Sequence, residues 1–376
     1  GDRSIMSTLK VNSIESASGG GVAAKISSVN GGQLSSRNKV INGAMQVAQR
    51  ATSVSSVSSG DYYVCDRWKL GYGTAGTWTL SQSTDSPDNF GHSFKMDCTS
   101  ANTSLSAGSN LQLIQFFEGQ DLQDIEKGTS TAKEITVSFY VKTNKTGVYV
   151  VELMDHDNSN RHCSKSYTVS NTNWNRYELT FPADTTGTLD ADANKSFEVG
   201  FWLVAGGTFQ GSSLRQTWGT LSQGSRAVGQ VNLADSTSNE WYLTGVQLEV
   251  GSVATEYEHK SFQDELMRCF RYFYKLQDGT LFGGRAATGG TRAKWTIPTP
   301  VPMRGSPSIV TALGLGTWSG TGYKYNGTST STSVPTISEF EALNTHVGFS
   351  QLGHSLDDDR VFTWQNNLDI IFTADL

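Results

Sequence analysis

The stretch Lys133-Glu-Ile-Thr-Val-Ser-Phe-Tyr-Val-Lys142 indicates how this chain folds. Its apolar residues Ile135, Val137 and Phe139 stand at every second position, mostly with polar residues between them. Successive side chains of a β-strand point to opposite faces, so this alternation is typical of a strand with one buried face. The sequence therefore predicts a β-strand here.

The same alternation recurs on the C-terminal side, in residues 177–181, 197–203 and 242–250. Within residues 242–250, Tyr242 and Val246 are an even number of positions apart, so their side chains are expected to share a face of the strand. Strands with one apolar face, separated by turns over about two hundred residues, predict an antiparallel β-sandwich. Because a jelly roll suits this number of strands, we predict one over residues 38–260.

The period changes in residues 261–275. Ser261 stands three residues before Asp264 and four before Glu265, a pattern typical of a helix N-cap with an acidic first turn. The apolar residues that follow at helical spacing are Phe262, Leu266, Cys269, Phe270 and Phe273. The sequence predicts one helix over residues 261–275, which connects two β regions and presents an apolar stripe.

The two ends of the chain differ in character. Residues 1–37 are rich in Gly and Ser and carry too few large apolar side chains to form a core alone, so they are expected to dock on another surface. Residues 276–376 return to alternation, which is clearest at Ile370 and Phe372. The prediction is an all-β chain with an N-terminal segment, a jelly roll, a short connecting helix and a small C-terminal β-sandwich.

Composition narrows the classes of function. The formal net charge is −6 and no basic run exceeds two residues, which argues against a nucleic-acid or anionic-membrane partner. No apolar run is long enough to span a bilayer. The aromatic content of 10% supplies the burial that disordered chains lack. The cysteines show no metal-binding spacing and are expected to be reduced, mostly buried thiols: Cys65, Cys98, Cys163 and Cys269.

Motifs for catalysis and metal binding are weak. Carboxylates abound without a spacing that singles out a glycosidase pair, and there is no nucleophile elbow, P-loop or zinc motif, so we expect no enzyme and no cofactor. The loop that contains Asp155 and Asp157 begins like a calcium loop but lacks its later glycine and glutamate. A polar hairpin turn is the preferred interpretation, with His156 and His162 expected as exposed loop residues.

Three stretches carry a family resemblance. They are Met6-Ser-Thr-Leu-Lys-Val-Asn-Ser-Ile14, the segment Ile41-Asn-Gly-Ala-Met-Gln-Val-Ala-Gln-Arg-Ala-Thr52 with Cys65-Asp-Arg-Trp68, and the segment from Trp241 to Glu258 with Arg268-Cys-Phe-Arg-Tyr-Phe-Tyr274. Together they resemble bacteriophage tail fibres of the marine or cyanobacterial type that carry a carbohydrate-binding-module-like jelly roll. Within them, Asp66 and Arg67 are expected to form a local ion pair, and Gly245 and Gly251 to meet backbone needs.

The resemblance implies a homotrimer that folds in the host cytoplasm and becomes part of the virion. Residues 1–37 would attach it to a tail or baseplate component, the helix would lie at the trimer axis, and residues 276–376 would form a distal receptor-binding domain. The implied function is an adhesin that binds a host cell-surface polysaccharide. Two alternatives stay open, namely a structural connector without its own ligand and a glycan-depolymerising tailspike.

Candidate sugar-binding residues follow from the chemistry of saccharides. An aromatic face packs on the apolar side of a pyranose, while polar groups fix its orientation. Gly-, Ser- and Thr-rich surroundings predict a loop around several aromatic residues, and a run of aspartates forms another polar tip. The candidates are Trp318, Tyr323, Tyr325, Asp357 and Asp358 in the C-terminal region and Trp218 in the jelly roll.

Overall fold

The computed structural model describes residues 35–276, 281–287, 292–311, 323–325, 328–330, 337–343, 346–352, 361–365 and 370–376. In this part of the chain the strands all pair antiparallel, and one α-helix is present. No helix among these residues is long and apolar enough to cross a bilayer.

Two sheets face each other in the first part of the chain. Their strands are β1 (Ser53–Val57), β2 (Lys69–Gly73), β3 (Thr77–Ser83), β4 (Ser93–Ser100), β5 (Asn110–Glu118), β6 (Ile135–Thr143), β7 (Gly147–Asp155), β8 (Arg161–Val169), β9 (Asn175–Phe181), β10 (Lys195–Ala205) and β11 (Glu240–Val250). The six-stranded sheet has the order β1-β3-β4-β11-β6-β9 and the five-stranded sheet the order β2-β5-β10-β7-β8. Short 3-10 helices lie between strands at Gly119–Asp121, Gln123–Ile125, Gly207–Phe209, Gln223–Ser225 and Leu233–Asp235.

The inner faces of both sheets enclose one hydrophobic core. It includes Val137 and Phe139 of β6, which the alternation places on one face, and Phe201 of β10. Trp68 and Trp241 are also fully buried in it. The apolar side chains of one sheet pack against those of the other, so the predicted antiparallel β-sandwich is confirmed.

Strand β11 departs from its predicted pattern because it contains a β-bulge. The register with β6 shifts between Thr244 and Gln247, around Gly245, whose φ is +61°. An extra residue in a strand reverses the parity of the side chains beyond it. Trp241 therefore lies in the core on the N-terminal side of the bulge. The prediction that Tyr242 shares a face with Val246 is wrong.

The helix is shorter than predicted. It is α1 (Phe262–Phe270), and its N-cap is as predicted, with Ser261 Oγ accepting a hydrogen bond from Asp264 N at 3.1 Å. The chain then turns into β12 (Phe273–Leu276). Tyr272 fixes this turn, because its buried hydroxyl donates to Glu118 Oε1 at 2.5 Å and the Arg67 guanidinium lies 3.4 Å from its ring centroid.

The predicted apolar stripe of the helix is only partly buried. Cys269 is buried and packs with Ile41, while Leu266 is half-buried against the same cluster. Phe262 is 55% exposed, whereas Glu265 is buried and accepts a hydrogen bond from Asn42 N. The helix therefore packs on the sandwich through its second half and leaves its first aromatic residue open to solvent.

The C-terminal region forms further antiparallel sheets. Its strands are β13 (Leu281–Ala287), β14 (Arg292–Pro298), β15 (Ser308–Thr311), β16 (Tyr323–Tyr325), β17 (Thr328–Thr330), β18 (Ile337–Leu343), β19 (His346–Leu352), β20 (Val361–Gln365) and β21 (Ile370–Thr373). One sheet has the order β12-β21-β15 and the other β17-β16-β20-β13-β14-β19-β18. The predicted pairing of the C-terminal strand is confirmed, and Pro298 lies at the end of β14, where it ends a ladder.

The last residues of the chain are bonded to the sandwich. Tyr62 Oη donates to the Leu376 carbonyl at 2.9 Å, and Arg50 forms an ion pair with Asp375. Arg304 connects the same tail to the loop before β10, because it donates to the carbonyls of Ala374 at 2.8 Å and Ala193 at 3.1 Å. These contacts attach the three-stranded sheet to the sandwich.

Two sequence expectations concern buried polar groups. All four cysteines are buried, free thiols, and burial raises the pKa of Cys163 to about 12. The predicted ion pair between Asp66 and Arg67 is wrong. Asp66 instead accepts from Gln49 N at 2.9 Å, and burial raises its pKa to about 6. Arg67 donates to the Phe116 carbonyl at 2.6 Å, so neighbours in sequence serve different parts of the fold.

Candidate functional site

The outer face of the six-stranded sheet carries an aromatic groove. Its first element is Tyr140 of β6, which has the opposite parity to the core residue Phe139 and is half-buried. Its second is Phe90, from the loop between β3 and β4, whose ring centroid lies 5.3 Å from that of Tyr140. A ring carried by a strand and a ring carried by a loop thus meet on the solvent side of the sheet.

Two further rings come from the segment that follows β11. The ring centroids of Tyr257 and His259 each lie 5.1 Å from that of Phe90, and 4.8 Å from each other. The groove, which we call the aromatic groove, has a volume of about 420 Å³. Its lining residues are Asp88, Asn89, Phe90, Tyr140, Glu256, Tyr257 and His259.

The loop that carries Phe90 is held by hydrogen bonds along residues 85–90. Ser86 Oγ donates to the Phe90 carbonyl at 2.5 Å, and Phe90 N donates to the Pro87 carbonyl at 3.2 Å. Asp85 accepts from Lys142 Nζ at 2.6 Å and from Trp174 Nε1 at 2.9 Å. Although partial burial opposes it, these two hydrogen bonds hold the pKa of Asp85 below its usual range. The loop is therefore ordered before any ligand binds.

The bulge at Gly245 makes room for the rings. A Cβ atom at this position would lie 2.7 Å from Phe90 Cζ and 2.9 Å from Tyr140 Cδ2, closer than van der Waals contact. The positive φ of Gly245 also disfavours any side chain. The predicted backbone role of this glycine is confirmed, and its consequence is the close approach of Phe90 to the sheet.

Buried polar side chains of β11 shape the segment that carries Tyr257. Glu249 accepts from Thr255 N at 2.8 Å and from Thr255 Oγ1 at 2.7 Å. Gln247 Oε1 accepts from Glu258 N at 2.8 Å. These bonds fold the chain back over the outer face of the sheet, and burial raises the pKa of Tyr257. The polar residues of this stretch position an aromatic side chain.

A larger groove of about 700 Å³ lies beside α1, but its chemistry differs. Its cationic side chains are ion-paired, with Lys39 Nζ 2.8 Å from Asp124 Oδ2 and Arg271 Nη2 2.6 Å from Glu118 Oε2. Among the described residues that line it, the one ring is that of Tyr272, which is 1% exposed. Without an accessible aromatic face, it is the weaker candidate for a saccharide.

Trp218 packs against the sandwich. Its Nε1 donates to the Pro182 carbonyl at 2.8 Å, and its ring centroid lies 5.8 Å from that of Phe197. The cavity that it lines, with a volume of about 10 Å³, is too small for a sugar ring. This geometry gives Trp218 a packing role, and its role in glycan binding stays a prediction.

The loop between β7 and β8 is a polar turn. Asp155 is buried, forms an ion pair with Lys127, and accepts from Asp157 N at 3.0 Å and Asn158 N at 3.1 Å. Asp157 Oδ2 accepts from Asp190 N at 2.9 Å. In the described part of the chain, no group of three or more His, Cys, Asp or Glu side chains is arranged to hold a metal ion.

The sequence predicted that the two histidines near this turn are exposed loop residues, and this prediction is wrong. His162 belongs to β8 and is fully buried, with Nδ1 3.0 Å from Glu152 Oε1. His156 Nε2 lies 2.7 Å from Glu198 Oε2, and its side chain is only 14% exposed. Both residues face the outer side of the five-stranded sheet, where loops and carboxylates cover them.

Two of the C-terminal candidates, Tyr323 and Tyr325, lie among the described residues. Trp318, Asp357 and Asp358 lie outside the described residues. Tyr323 and Tyr325 form the ends of β16, which pairs with β17, so the predicted loop there is wrong. Paired strands satisfy backbone groups that a loop would leave to water.

The residues that line the aromatic groove were missed by the sequence analysis. Tyr140 is an aromatic residue among the otherwise polar, outward-facing positions of β6. Phe90 is the one large apolar residue in the polar stretch Asp85-Ser-Pro-Asp-Asn-Phe-Gly-His92. An aromatic residue at a solvent-facing position of each element was the available signal. Their proximity to Tyr257 depends on the fold and was not readable from the sequence.

Comparisons with known proteins reveal only distant structural likeness. No family model and no curated protein matches the sequence. The enzymatically active domain of tailspike protein 4 from bacteriophage CBA120 aligns at 13% identity and a TM-score of 0.30, over 57% of this chain and 21% of that one. A putative sugar binding protein from Bacteroides thetaiotaomicron aligns at 11% identity and a TM-score of 0.32, over 57% of this chain and all of that one.

A third solved structure, TmCBM61 in complex with β-1,4-galactotriose, aligns at 12% identity and a TM-score of 0.27, over 57% of this chain and 99% of that one. These likenesses are weak, and no residue role follows from them. The chain spans about a fifth of the tailspike structure that it matches.

Proposed function

We propose that this protein is a glycan-binding adhesin and that the aromatic groove holds the saccharide. The observation that supports this is the meeting of Phe90, Tyr140, Tyr257 and His259 at a groove with a polar rim. Aromatic faces pack against the C–H side of a pyranose, while amide and carboxylate groups accept or donate hydrogen bonds to hydroxyls. The rim groups that can do so are Asp88, Asn89 and Glu256.

The size and rigidity of the groove fit this role. Its volume of about 420 Å³ falls within the range of small-ligand sites, roughly 300–1,000 Å³. The loop of Phe90 is held by Asp85 and Ser86, so little conformational entropy is lost when a ligand binds.

The test is a glycan array probed with the full chain and with Tyr140→Ala. Loss of one stacking ring is expected to weaken binding of the recognised glycan about tenfold or more. The control is Tyr63→Ala, which removes a half-buried tyrosine from the loop between β1 and β2, outside the groove. Thermal melting checks that both variants fold. Equal binding by wild type and Tyr140→Ala would show that the saccharide does not lie in the groove.

The biological setting that we propose is the tail of a bacteriophage. The sequence stretches that resemble tail fibres support it, and in that setting residues 1–37 attach the chain to the virion. The ligand is then a host-surface polysaccharide, and residues 276–376 lie distally, with Trp318, Tyr323 and Asp357 as a second candidate surface. A chain that binds no glycan would instead be a structural connector, and release of reducing ends from bound polysaccharide would identify a tailspike enzyme.

A homotrimer is part of this proposal, because several weak sites on one particle bind with high avidity. The exposed ring of Phe262 at the start of α1 is the described surface that supports it. Phe262→Ser is expected to shift the protein from trimer to monomer in light scattering, without unfolding it, because the ring is 55% exposed in the single chain. A wild-type monomer at micromolar concentration would contradict the trimer.

A further inference from the structure

The aromatic groove carries unbalanced negative charge. Asp88 and Glu256 both line it and are exposed, and neither carboxylate forms an ion pair with any described residue. Among the described residues that line it there is no lysine or arginine, and the one basic side chain is the imidazole of His259. The rings therefore share the groove with two carboxylates that have no ion-pair partner among the described residues.

Several cations near the groove are bonded to acceptors other than these two carboxylates. Arg176 donates to Glu178 Oε1 at 2.5 Å and to the Thr255 carbonyl at 2.6 Å. Lys142 pairs with Asp85 at 2.6 Å, and Arg37 Nη2 lies 3.4 Å from the backbone oxygen of Glu256. Each guanidinium or ammonium is held outside the lining, so the carboxylates are left to attract a cation from the ligand.

We infer that the groove selects saccharides that carry a protonated amino group and disfavours acidic saccharides, an inference that rests on the proposed function. A cation beside an aromatic face is attracted by the negative face of the ring. The two carboxylates add a Coulombic attraction that acts at short range and is screened by salt. A uronate or a sulfated sugar would meet the same carboxylates and be repelled.

The test compares three soluble ligands by calorimetry with the full chain, at a pH at which the sugar amine is protonated. They are glucosamine oligomers, N-acetylglucosamine oligomers of the same length and oligogalacturonate. We expect the amine-bearing oligomer to bind about tenfold tighter than its acetylated counterpart and the acidic oligomer to bind weakest. High salt should reduce the ratio between the first two.

Substitution of each carboxylate shows whether it contributes to the selectivity for the amino group. Asp88→Asn and Glu256→Gln are each expected to lower the amine-to-acetyl affinity ratio severalfold, because each removes one charge from the groove. Asp192→Asn removes a carboxylate from the loop between β9 and β10 and is expected to leave the ratio as in the wild type.

The possible results distinguish a failure of the charge selectivity from a failure of the proposed glycan site. Equal affinity for the amine-bearing and acetylated oligomers, with both lost in Tyr140→Ala, would overturn the charge selectivity and leave the glycan site standing. A ratio that persists in both Asp88→Asn and Glu256→Gln would place the selectivity outside the groove. Binding of all three ligands that is unaffected by Tyr140→Ala would overturn the proposed function itself.

Discussion

Replacing Glu152 by alanine is expected to lower the free energy of unfolding by about 3–5 kcal/mol. Glu152 is fully buried on β7, where its carboxylate accepts from Arg226 Nη2 at 2.7 Å and from Trp202 Nε1 at 3.1 Å. His162 Nδ1 lies 3.0 Å away. The alanine variant would leave a largely buried guanidinium without its counter-ion, and urea unfolding measures the cost.

The control for this variant is Glu178→Ala. Glu178 is 46% exposed at its side chain and pairs with Arg176 across solvent-accessible space. Exposed pairs contribute about 0–1 kcal/mol, so this substitution is expected to change the free energy of unfolding little. Similar losses in the two variants would mean that burial of the Glu152 network adds nothing to the effect.

The Glu152 network also sets an acid limit for the fold. Burial alone would raise the pKa of this carboxyl, but Arg226 and His162 outweigh burial and hold the pKa below its usual range. The stability from Glu152 is therefore present above its unfolded pKa of about 4.3 and is lost as the pH falls through the lower folded value. The difference in unfolding free energy between wild type and Glu152→Ala should narrow below about pH 4.

Gly245→Ala is expected to abolish most glycan binding, with a loss of about tenfold or more, and to destabilise the fold by about 1–3 kcal/mol. The new Cβ would lie 2.7 Å from Phe90 Cζ and 2.9 Å from Tyr140 Cδ2, on a residue with φ of +61°. The rings would have to separate, which changes the groove. Calorimetric titration with the glycan identified on the array measures the loss.

Gly91→Ala is the matched control, because it adds the same methyl group next to Phe90. A Cβ at Gly91 meets no atom within 4 Å, so this variant is expected to bind and to melt like the wild type. If Gly245→Ala retains full affinity, the spacing of Phe90 and Tyr140 does not determine binding.

Local patterns in the sequence predicted the sandwich well. The alternation in β6 places Val137 and Phe139 in the core, since the face of a side chain depends only on its position in the strand. The Ser261 N-cap was predictable for a similar reason, because the capping bond joins residues three apart. Both features depend on residues that are close together in the sequence.

Contacts between distant segments were not predictable in the same way. The bulge at Gly245 reverses the parity of β11, and its partner in space is the ring of Phe90 from another loop. The helix ends early because Tyr272 bonds to Glu118 of β5, far away in sequence. His162 is buried because Arg226 and Glu152 meet beside it. The groove depends on this kind of contact.

A crystal structure of the full chain in complex with the glycan that the array identifies tests the central claim most directly. The account predicts a pyranose ring packed on Phe90 and Tyr140, with hydroxyl or amino groups hydrogen-bonded to Asp88 or Glu256. A saccharide bound at another surface, such as residues 276–376 or the outer face of the five-stranded sheet, with the aromatic groove empty, would contradict it.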